Sequence, residues 1–535
     1  MANDHGLGYM LTRRASMSPD RTALVFRDEQ WTFDQLNRLT NQVAHGLHAG
    51  GVNPGDRVGF IGLNHPRFFF ALFGAAKLGA IFVPLNFRLT GPELAFIIRD
   101  AGLQTLVYED NFSSIVDEIR DQIDVRQLIC SEEREGSRSF DDLVHDQRDT
   151  NLNYPVSDDE VAWIMYTSGT TGRPKGAMIT NGNVMWNNFN ASLMVDSLVD
   201  DRTLAVAPLF HIGGLNTTPI ATLTLGGTVI VEQIFEPGMV LELIERHRVT
   251  TMFGVPAMFM FMAQHPDFET RDLSSVRIFA VGGAPVPETL LHTYRDRGIL
   301  FLQGYGLTET APNACIVPPD MAEAKIGSAG IAPFFTETKV VDDNGKDVPD
   351  GERGEIVVRG PNVMKGYWNH PDATAEVIKD GWFHTGDIGR RDADGYFWIL
   401  DRKKDMIISG GENVYPAEVE DVLFGHPAVE DVAVIGVQHP RWGETVRAVV
   451  VVREGQEVTA QEIIDFTEGR LARFKQPRSV VFTTNLPRNP TGKVVKFALR
   501  ERHGQPMTEE DEIKPAKKES SQTESAEKQP VRHQS

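Results

Sequence analysis

The stretch YTSGTTGRPKGAM, residues 166–178, decides how the chain is read. Gly169, Gly172 and Gly176 are interleaved with Thr167, Ser168, Thr170 and Thr171, and Lys175 stands near the end. Glycines let neighbouring backbone N–H groups converge, hydroxyls add donors, and a lysine adds charge. This composition suits either a loop wrapped round an anion or a solvated Gly/Thr turn, and a short Gly-rich pattern alone does not decide between them. No serine or threonine follows Lys175, so the common nucleotide loop G-x-x-x-x-G-K-S/T is not matched. A metal ligand, if the chemistry needs one, has to come from elsewhere.

Outward from that loop, apolar runs alternate with amphipathic segments. IMYT (164–167) reads as the end of a strand, and so do RVGFIGL (57–63), AIFVPLN (80–86), TLVYE (105–109), TLAVAP (203–208), GTVIVE (227–232), TTMFGVP (250–256) and RIFAVGG (277–283) as strands. Helical patterns such as 33–50 and 237–248 lie between them. Alternation of this kind predicts an α/β fold with layered, largely parallel sheets. From about residue 333 to 400 short strands and turns, including Asp343-Asn344-Gly345, predict a small β-rich subdomain within a large N-terminal domain, 1–402. Residues 403–503 read as a small, mobile α+β domain, with helices expected over 417–427 and 460–474. The polar segment 504–535 lacks aromatic residues and is expected to be a disordered tail.

The 535 residues carry a net charge of −21, which disfavours nucleic acid or an anionic membrane as a partner. Two cysteines, Cys130 and Cys315, form neither a disulfide framework nor a metal-ligand spacing, so a reducing, cytoplasmic setting is expected. No apolar run follows the charges of the start, so no secretory leader is expected. The most apolar stretch, 68–87, is interrupted by Lys77, Gly79 and Pro84 and reads as a buried helix followed by a strand, not a membrane span. Peripheral membrane contact and a homodimer are both compatible with the composition.

Four further segments carry chemistry. GYGLTET (304–310) sets Thr308 and Glu309 after the strand-like ILFLQ: a hydroxyl for phosphate and a carboxylate for Mg²⁺, or a strand-end turn with an exposed glutamate. GWFHTGDIG (381–389) offers Asp387, either a ribose acceptor or a turn residue. DRKKDMIISGGENVYPAEVE (401–420) is a charged linker followed by Gly410-Gly411 and a helix start near Pro416. PRNPTGKVVK (487–496) presents Lys493 on a Pro/Gly-defined loop.

In this order and spacing the five segments resemble the adenylate-forming superfamily of acyl-CoA synthetases, luciferases and nonribosomal-peptide adenylation domains. The resemblance spans residues 8–502. PLFHIGGL (208–215), VGGAPVP (281–287) and KDMIISGGENVYPAEVE (404–420) look most like fatty-acyl-CoA synthetases. The resemblance implies a ligase using ATP, Mg²⁺ and CoA, in which a carboxylate attacks the α-phosphate and CoA then displaces AMP. It implies that Thr167, Ser168, Gly169, Thr170, Thr171, Gly172 and Lys175 close on the departing pyrophosphate. Thr308 would touch the α-phosphate and Glu309 the metal. Asp387 and Arg402 would hold the ribose. Gly283, Ala284, Pro285, Gly304, Tyr305 and Gly306 would flank the adenine, with Tyr305 stacked on it.

Lys493 would bridge carboxylate and α-phosphate from the small domain. That domain would turn about Lys404, bringing Ser409, Gly410, Gly411 and Glu412 to the site as a tunnel for CoA. The acyl pocket is expected around His211, Gly213, Gly214, Val255, Gly282, Leu307 and Ala311, small or apolar residues without Arg or Lys. His211 is either a gate or a satisfied structural histidine. The expected substrate is a medium- or long-chain fatty acid; aryl or other apolar acids, or loading of a carrier protein, are the alternatives. A binding module without activity is disfavoured by the intact Lys175, Glu309, Asp387, Arg402 and Lys493.

Overall fold

The computed structural model describes residues 5–152, 154–167, 174–283, 286–402, 405–409, 412–488 and 494–508. Contacts divide the chain into two compact units, the first reaching to Leu400 and the second running from Asp401 onward.

In the first unit, two sheets of eight strands each form the frame among the described residues. One runs, in spatial order, Asn313–Ile316, Leu300–Gly306, Ile278–Val281, Thr251–Gly254, Arg202–Ala205, Thr228–Val231, Thr22–Phe26 and Glu29–Thr32. The other runs Gly366–Tyr367, Lys175–Thr180, Val161–Thr167, Ile81–Leu85, Arg57–Ile61, Thr105–Tyr108, Gln127–Cys130 and Arg138–Ser139. Neighbours in the middle of each sheet pair in parallel, while antiparallel pairs appear at the edges and beside the expected phosphate loop. The parallel strands read as continuous apolar runs because helices cover both of their faces. Thr105–Tyr108 and Thr228–Val231 are buried at every residue.

Local signals set the covering helices. Phe33–Ala49 starts at a capping box in which Thr32 and Gln35 satisfy each other's backbone N–H. The apolar stretch expected as buried helix and strand forms Pro66–Leu78 and Ile81–Leu85, separated by Gly79 at φ 72°. Phe68, Phe69, Phe70 and Phe73 are all buried there, each worth roughly 1.5–3 kcal/mol on removal from water. Among the described residues no helix is long and apolar enough to cross a membrane.

The β-rich part is an antiparallel sheet of Glu337–Val341, Arg353–Arg359, Trp382–Arg391 and Ile378–Lys379, with Phe397–Arg402 alongside Trp382–Arg391. The expected turn at 343–345 closes a small loop: Gly345 (φ 78°) donates its N–H to the Asp342 carbonyl.

The second unit pairs Val429–His439 with Gly443–Val452 antiparallel, and Ser479–Phe482 joins the latter in parallel. Helices Pro416–Phe424, Ala460–Phe466 and Lys496–His503 pack with this sheet. The helix expected over 460–474 stops at Phe466. The Thr467 hydroxyl caps the Ile464 carbonyl, and Gly469 takes φ 73°, a left-handed conformation that breaks the helix. Lys496 pairs with the half-buried Glu420 at 2.9 Å and Arg500 with Asp405 at 2.9 Å, fixing the last helix to the segments before it.

Candidate active site

The site grows from the carboxyl ends of the parallel strands. Leu300–Gly306 runs into Leu307, a single 3₁₀ turn Thr308–Thr310, Ala311 in the left-handed region (φ 59°) and Pro312, and returns as Asn313–Ile316. Gly306 has to be glycine: a Cβ there would sit 1.7 Å from the Pro312 carbonyl oxygen.

Irregular backbone buried at a sheet end leaves N–H and C=O groups without ladder partners, and such groups are costly unless bonded. Here asparagine side chains bond them. Asn362 donates to the Thr310 and Asn313 carbonyls, each at 2.8 Å. Asn216 donates to the Ala311 carbonyl at 2.6 Å, and Asn187 accepts from the Asn313 N–H at 3.1 Å. Asn187 in turn donates to the Asn216 carbonyl at 3.0 Å. Asn190 donates to Thr336 Oγ1, which donates to Asn362 Oδ1 at 2.6 Å. Asn187 and Asn190 lie on helix Asn181–Met194, which begins right after the strand carrying Lys175. One polar network therefore fixes the Thr308–Glu309 turn to that helix.

Glu309 is 8% exposed, and the Tyr367 hydroxyl donates to its Oε1 at 2.8 Å. Its carbonyl accepts from the Met364 N–H at 2.8 Å. Lys175 Nζ lies 5.4 Å from the centre of the Tyr367 ring. Thr167 and Lys175 are partners across the antiparallel pair that flanks the Gly-rich loop.

Asp387, 4% exposed, lies within strand Trp382–Arg391 and not in a turn. The pairing with Arg353–Arg359 shifts register between Glu355 and Val357, opposite residues 384–388, so Asp387 stands on a bulge; bulges re-aim a side chain next to many active sites. Its Oδ2 accepts from the Tyr305 hydroxyl at 2.6 Å. Burial, with the Asp387 charge next, raises the Tyr305 phenol well above its ordinary pKa, so the hydroxyl keeps its proton and remains a donor. Tyr305 packs against Cys315, Ala329, Val340 and Phe397.

Toward the expected acyl end, Gly282 follows strand Ile278–Val281, and a Cβ there would meet the Gly304 carbonyl oxygen at 3.0 Å. Gly283 takes φ 82° beside Val255. A Cβ on Gly213 would lie 2.8 Å from the ring of Phe253, and one on Gly282 3.8 Å from the same ring. Gly214 backs onto the Pro208 carbonyl. His211 precedes helix Ile212–Asn216 and its ring lies 4.4 Å from that of Phe210. Its Nε2 is buried with no hydrogen-bond partner among the described residues. Burial, aided by the charge of Arg88, lowers its pKa to about 4, so the ring is neutral near pH 7. Leu307 packs against the main core, and Ala311 is wholly buried within it.

The structure thus joins Tyr305 to Asp387, Glu309 through Tyr367 to Lys175, and Gly213 through Phe253 to Gly282. Ser409 is buried in the second unit, paired with Glu412 and Gly443. Ser168, Gly169, Thr170, Thr171, Gly172, Ala284, Pro285, Lys404, Gly410, Gly411 and Lys493 lie outside the described residues, and for Arg402 and Glu412 the description reaches the backbone alone. Tyr367, Phe253, Arg88 and the buried asparagines are absent from the sequence-derived site. Five asparagines in the helical stretch NGNVMWNNFN (181–190) were the available signal, because Asn is a poor helix former unless its side chain has a bonding task.

No cluster of three or more His, Cys, Asp or Glu residues able to hold a metal occurs among the described residues. A Mg²⁺ ion brought by a triphosphate needs no such cluster. It takes one or two carboxylates and completes its shell with phosphate oxygens and water, and Glu309 fits that requirement.

The chain matches the family model described as AMP-binding enzyme over residues 11–368 and the AMP-binding enzyme C-terminal domain over 418–493. It is 47% identical to a feruloyl-CoA synthase of Amycolatopsis sp, over 94% of this chain and 100% of that protein. It is 41% identical to a long-chain-fatty-acid–CoA ligase of Mycobacterium tuberculosis, over 93% of this chain and 98% of the relative. A solved anthranilate CoA ligase in complex with anthranoyl-AMP superposes with a TM-score of 0.87 at 29% identity, covering 94% of this chain and 98% of that one.

Proposed function

The chain belongs to the AMP-binding enzymes, an ATP-dependent, AMP-forming family of acid–CoA ligases within the adenylate-forming superfamily, and from that premise we propose that its acid is aromatic, of the aryl or aryl-propenoic kind, and not a long alkyl chain. The observation that carries this reading is the Phe253 ring lying between Gly213 and Gly282. On this reading the ring closes that end of the site against a long chain. It also offers an aromatic face or edge, worth about 0.5–1.5 kcal/mol beyond area burial to a ring placed against it. The identity to a feruloyl-CoA synthase supports the same choice. A medium- or long-chain fatty acid, the expectation from sequence, would require Phe253 to swing away.

The residues suit the two half-reactions. A carboxylate is a poor acyl donor, and its approach to the α-phosphate sets anion against anion. Fixed donors and cations relieve that repulsion. Thr308 at the phosphate, Lys175 at the departing pyrophosphate and Lys493 at the reacting oxygens take these parts. Mg²⁺, held by Glu309 with the nucleotide, would neutralise phosphate charge. Asp387 has several lone pairs and accepts from ribose hydroxyls while keeping the Tyr305 bond. Neutral His211 adds no charge of its own to the acyl end, where Arg88 is the charged neighbour. In the second half-reaction the CoA thiolate attacks the acyl carbonyl, a thioester forms, and AMP leaves. The family resemblance implies that for this step the small unit turns about Lys404, so that Lys493 leaves and Ser409, Gly410, Gly411 and Glu412 meet the pantetheine arm. CoA is thus the second substrate.

The test is a panel of acids with MgATP, scored for CoA thioester. Hydroxycinnamic and benzoic acids are expected to exceed alkyl acids of twelve or more carbons by about tenfold or more in kcat/KM, within the discrimination that pocket shape supplies. Preference for the long alkyl acids would overturn the aromatic reading.

A further inference from the structure

The segment 364–368 touches both ends of the expected phosphate site. Its backbone holds the turn of Glu309, through Met364 N–H to the Glu309 carbonyl at 2.8 Å. It also holds the strand of Lys175, through Lys365 N–H to the Met178 carbonyl at 3.0 Å and Trp368 N–H to the Gly176 carbonyl at 2.8 Å. Gly366 and Tyr367 pair with Met178 and Ala177 in antiparallel register. From this edge one side chain, Tyr367, reaches both charged groups. Its hydroxyl bonds Glu309 Oε1 at 2.8 Å and its ring lies 5.4 Å from Lys175 Nζ.

We propose that Tyr367 is a positioning residue for the metal–nucleotide complex. Its hydroxyl fixes the rotation of the Glu309 carboxylate, and its ring holds Lys175 beside it. The inference rests on the reading that Glu309 meets the metal of MgATP. The two tasks are chemically separable. A carboxylate pinned through one oxygen loses less freedom on meeting a cation, and loss of such an outer partner typically weakens metal affinity about 10–100-fold. A lysine held over an aromatic face is retained by any ring of that size and loses its seat when the ring goes.

The full chain is titrated with Mn²⁺ in place of Mg²⁺, in the presence of an ATP analogue with a methylene group between the α- and β-phosphates. Free Mn²⁺ is read by electron paramagnetic resonance, and metal-free binding of the analogue is read by calorimetry. Tyr367→Phe is expected to raise the Mn²⁺ dissociation constant about tenfold or more, leaving metal-free nucleotide binding unchanged. Tyr367→Leu is expected to weaken both. Glu309→Gln is the reference arm. If Glu309→Gln weakens Mn²⁺ binding while the Tyr367→Phe curve superposes on that of the unaltered chain, the role of Tyr367 is overturned and the metal reading of Glu309 stands. If Glu309→Gln itself leaves the curve unmoved, the metal reading falls with it. A Tyr367→Phe chain that weakens metal and nucleotide equally would reduce the residue to a packing role.

Discussion

The proposed nucleotide end and the proposed acyl end of the site hold their shape in opposite ways. At the nucleotide end each carboxylate is tied to a tyrosine, Asp387 to Tyr305 and Glu309 to Tyr367, and the turn between them hangs on a buried network of asparagines. At the acyl end His211, Gly213, Phe253 and Gly282 are held by packing, and the buried Nε2 of His211 has no bonding partner among the described residues. Directional bonds specify one geometry for an invariant ligand part. Packed surfaces specify a volume, and a volume changes with a single side chain.

The contrast can be broken at its strongest point first. Lys493→Ala should lower adenylation by about 10²–10³, the range for losing one group that stabilises developing charge, while thioester formation from supplied acyl-AMP persists. Pyrophosphate release and thioester yield measured separately decide this; equal loss of both would contradict two working arrangements of the small unit. Asn362→Leu leaves the Thr310 and Asn313 carbonyls and Thr336 Oγ1 without this partner in the core. It should cost about 1–3 kcal/mol for each group left unsatisfied, read by urea unfolding, and should lower nucleotide affinity as well. A variant of full stability and affinity would show that the network does not hold the turn.

Phe253→Ala should leave ATP affinity unchanged and move selectivity toward longer alkyl acids by about tenfold, within the range that pocket shape supplies. A parallel loss for all acids would mean that Phe253 is structural and not selective. A pH dependence of stability is also expected. Burial lowers the pKa of both His65 and His211 to about 4 in the folded chain, from an unfolded value of 6.5. Between those values the unfolded chain binds more protons, so stability is full above pH 6.5 and is lost progressively as pH falls toward 4. Unfolding midpoints at pH 7 and 4.5 measure the slope, and His211→Asn should flatten it. An unchanged slope would place the loss elsewhere.

The nucleotide end was the more legible in sequence, and the reason is chemical. Thr308, Glu309, Asp387 and Lys175 stand in short segments, and the roles proposed for them at phosphate, metal and ribose call for those residue types, so spacing along the chain carries the signal. What holds those residues is not local. Tyr367 lies 58 positions from Glu309, Asn216 lies 95 from Ala311, and Asn362 lies 52 from Thr310. Strand and helix positions followed from apolar periodicity, as in the buried helix Pro66–Leu78 ending at Gly79. The helix expected over 460–474 overran because Thr467 and Gly469 fit the helical pattern as polar positions but end the helix through a hydroxyl bond and a left-handed residue. At the acyl end the small residues were visible, but the volume they enclose was not. Phe253 sits in an ordinary strand-like run, and only the fold brings it against Gly213 and Gly282.

The most direct measurement incubates the purified chain with MgATP and either a hydroxycinnamic acid or a long-chain alkyl acid, following pyrophosphate without CoA and thioester with it. Pyrophosphate released with the aromatic acid, conversion to its CoA thioester when CoA is added, and a much weaker response to the alkyl acid are predicted. Pyrophosphate release that yields no thioester on adding CoA would contradict the account.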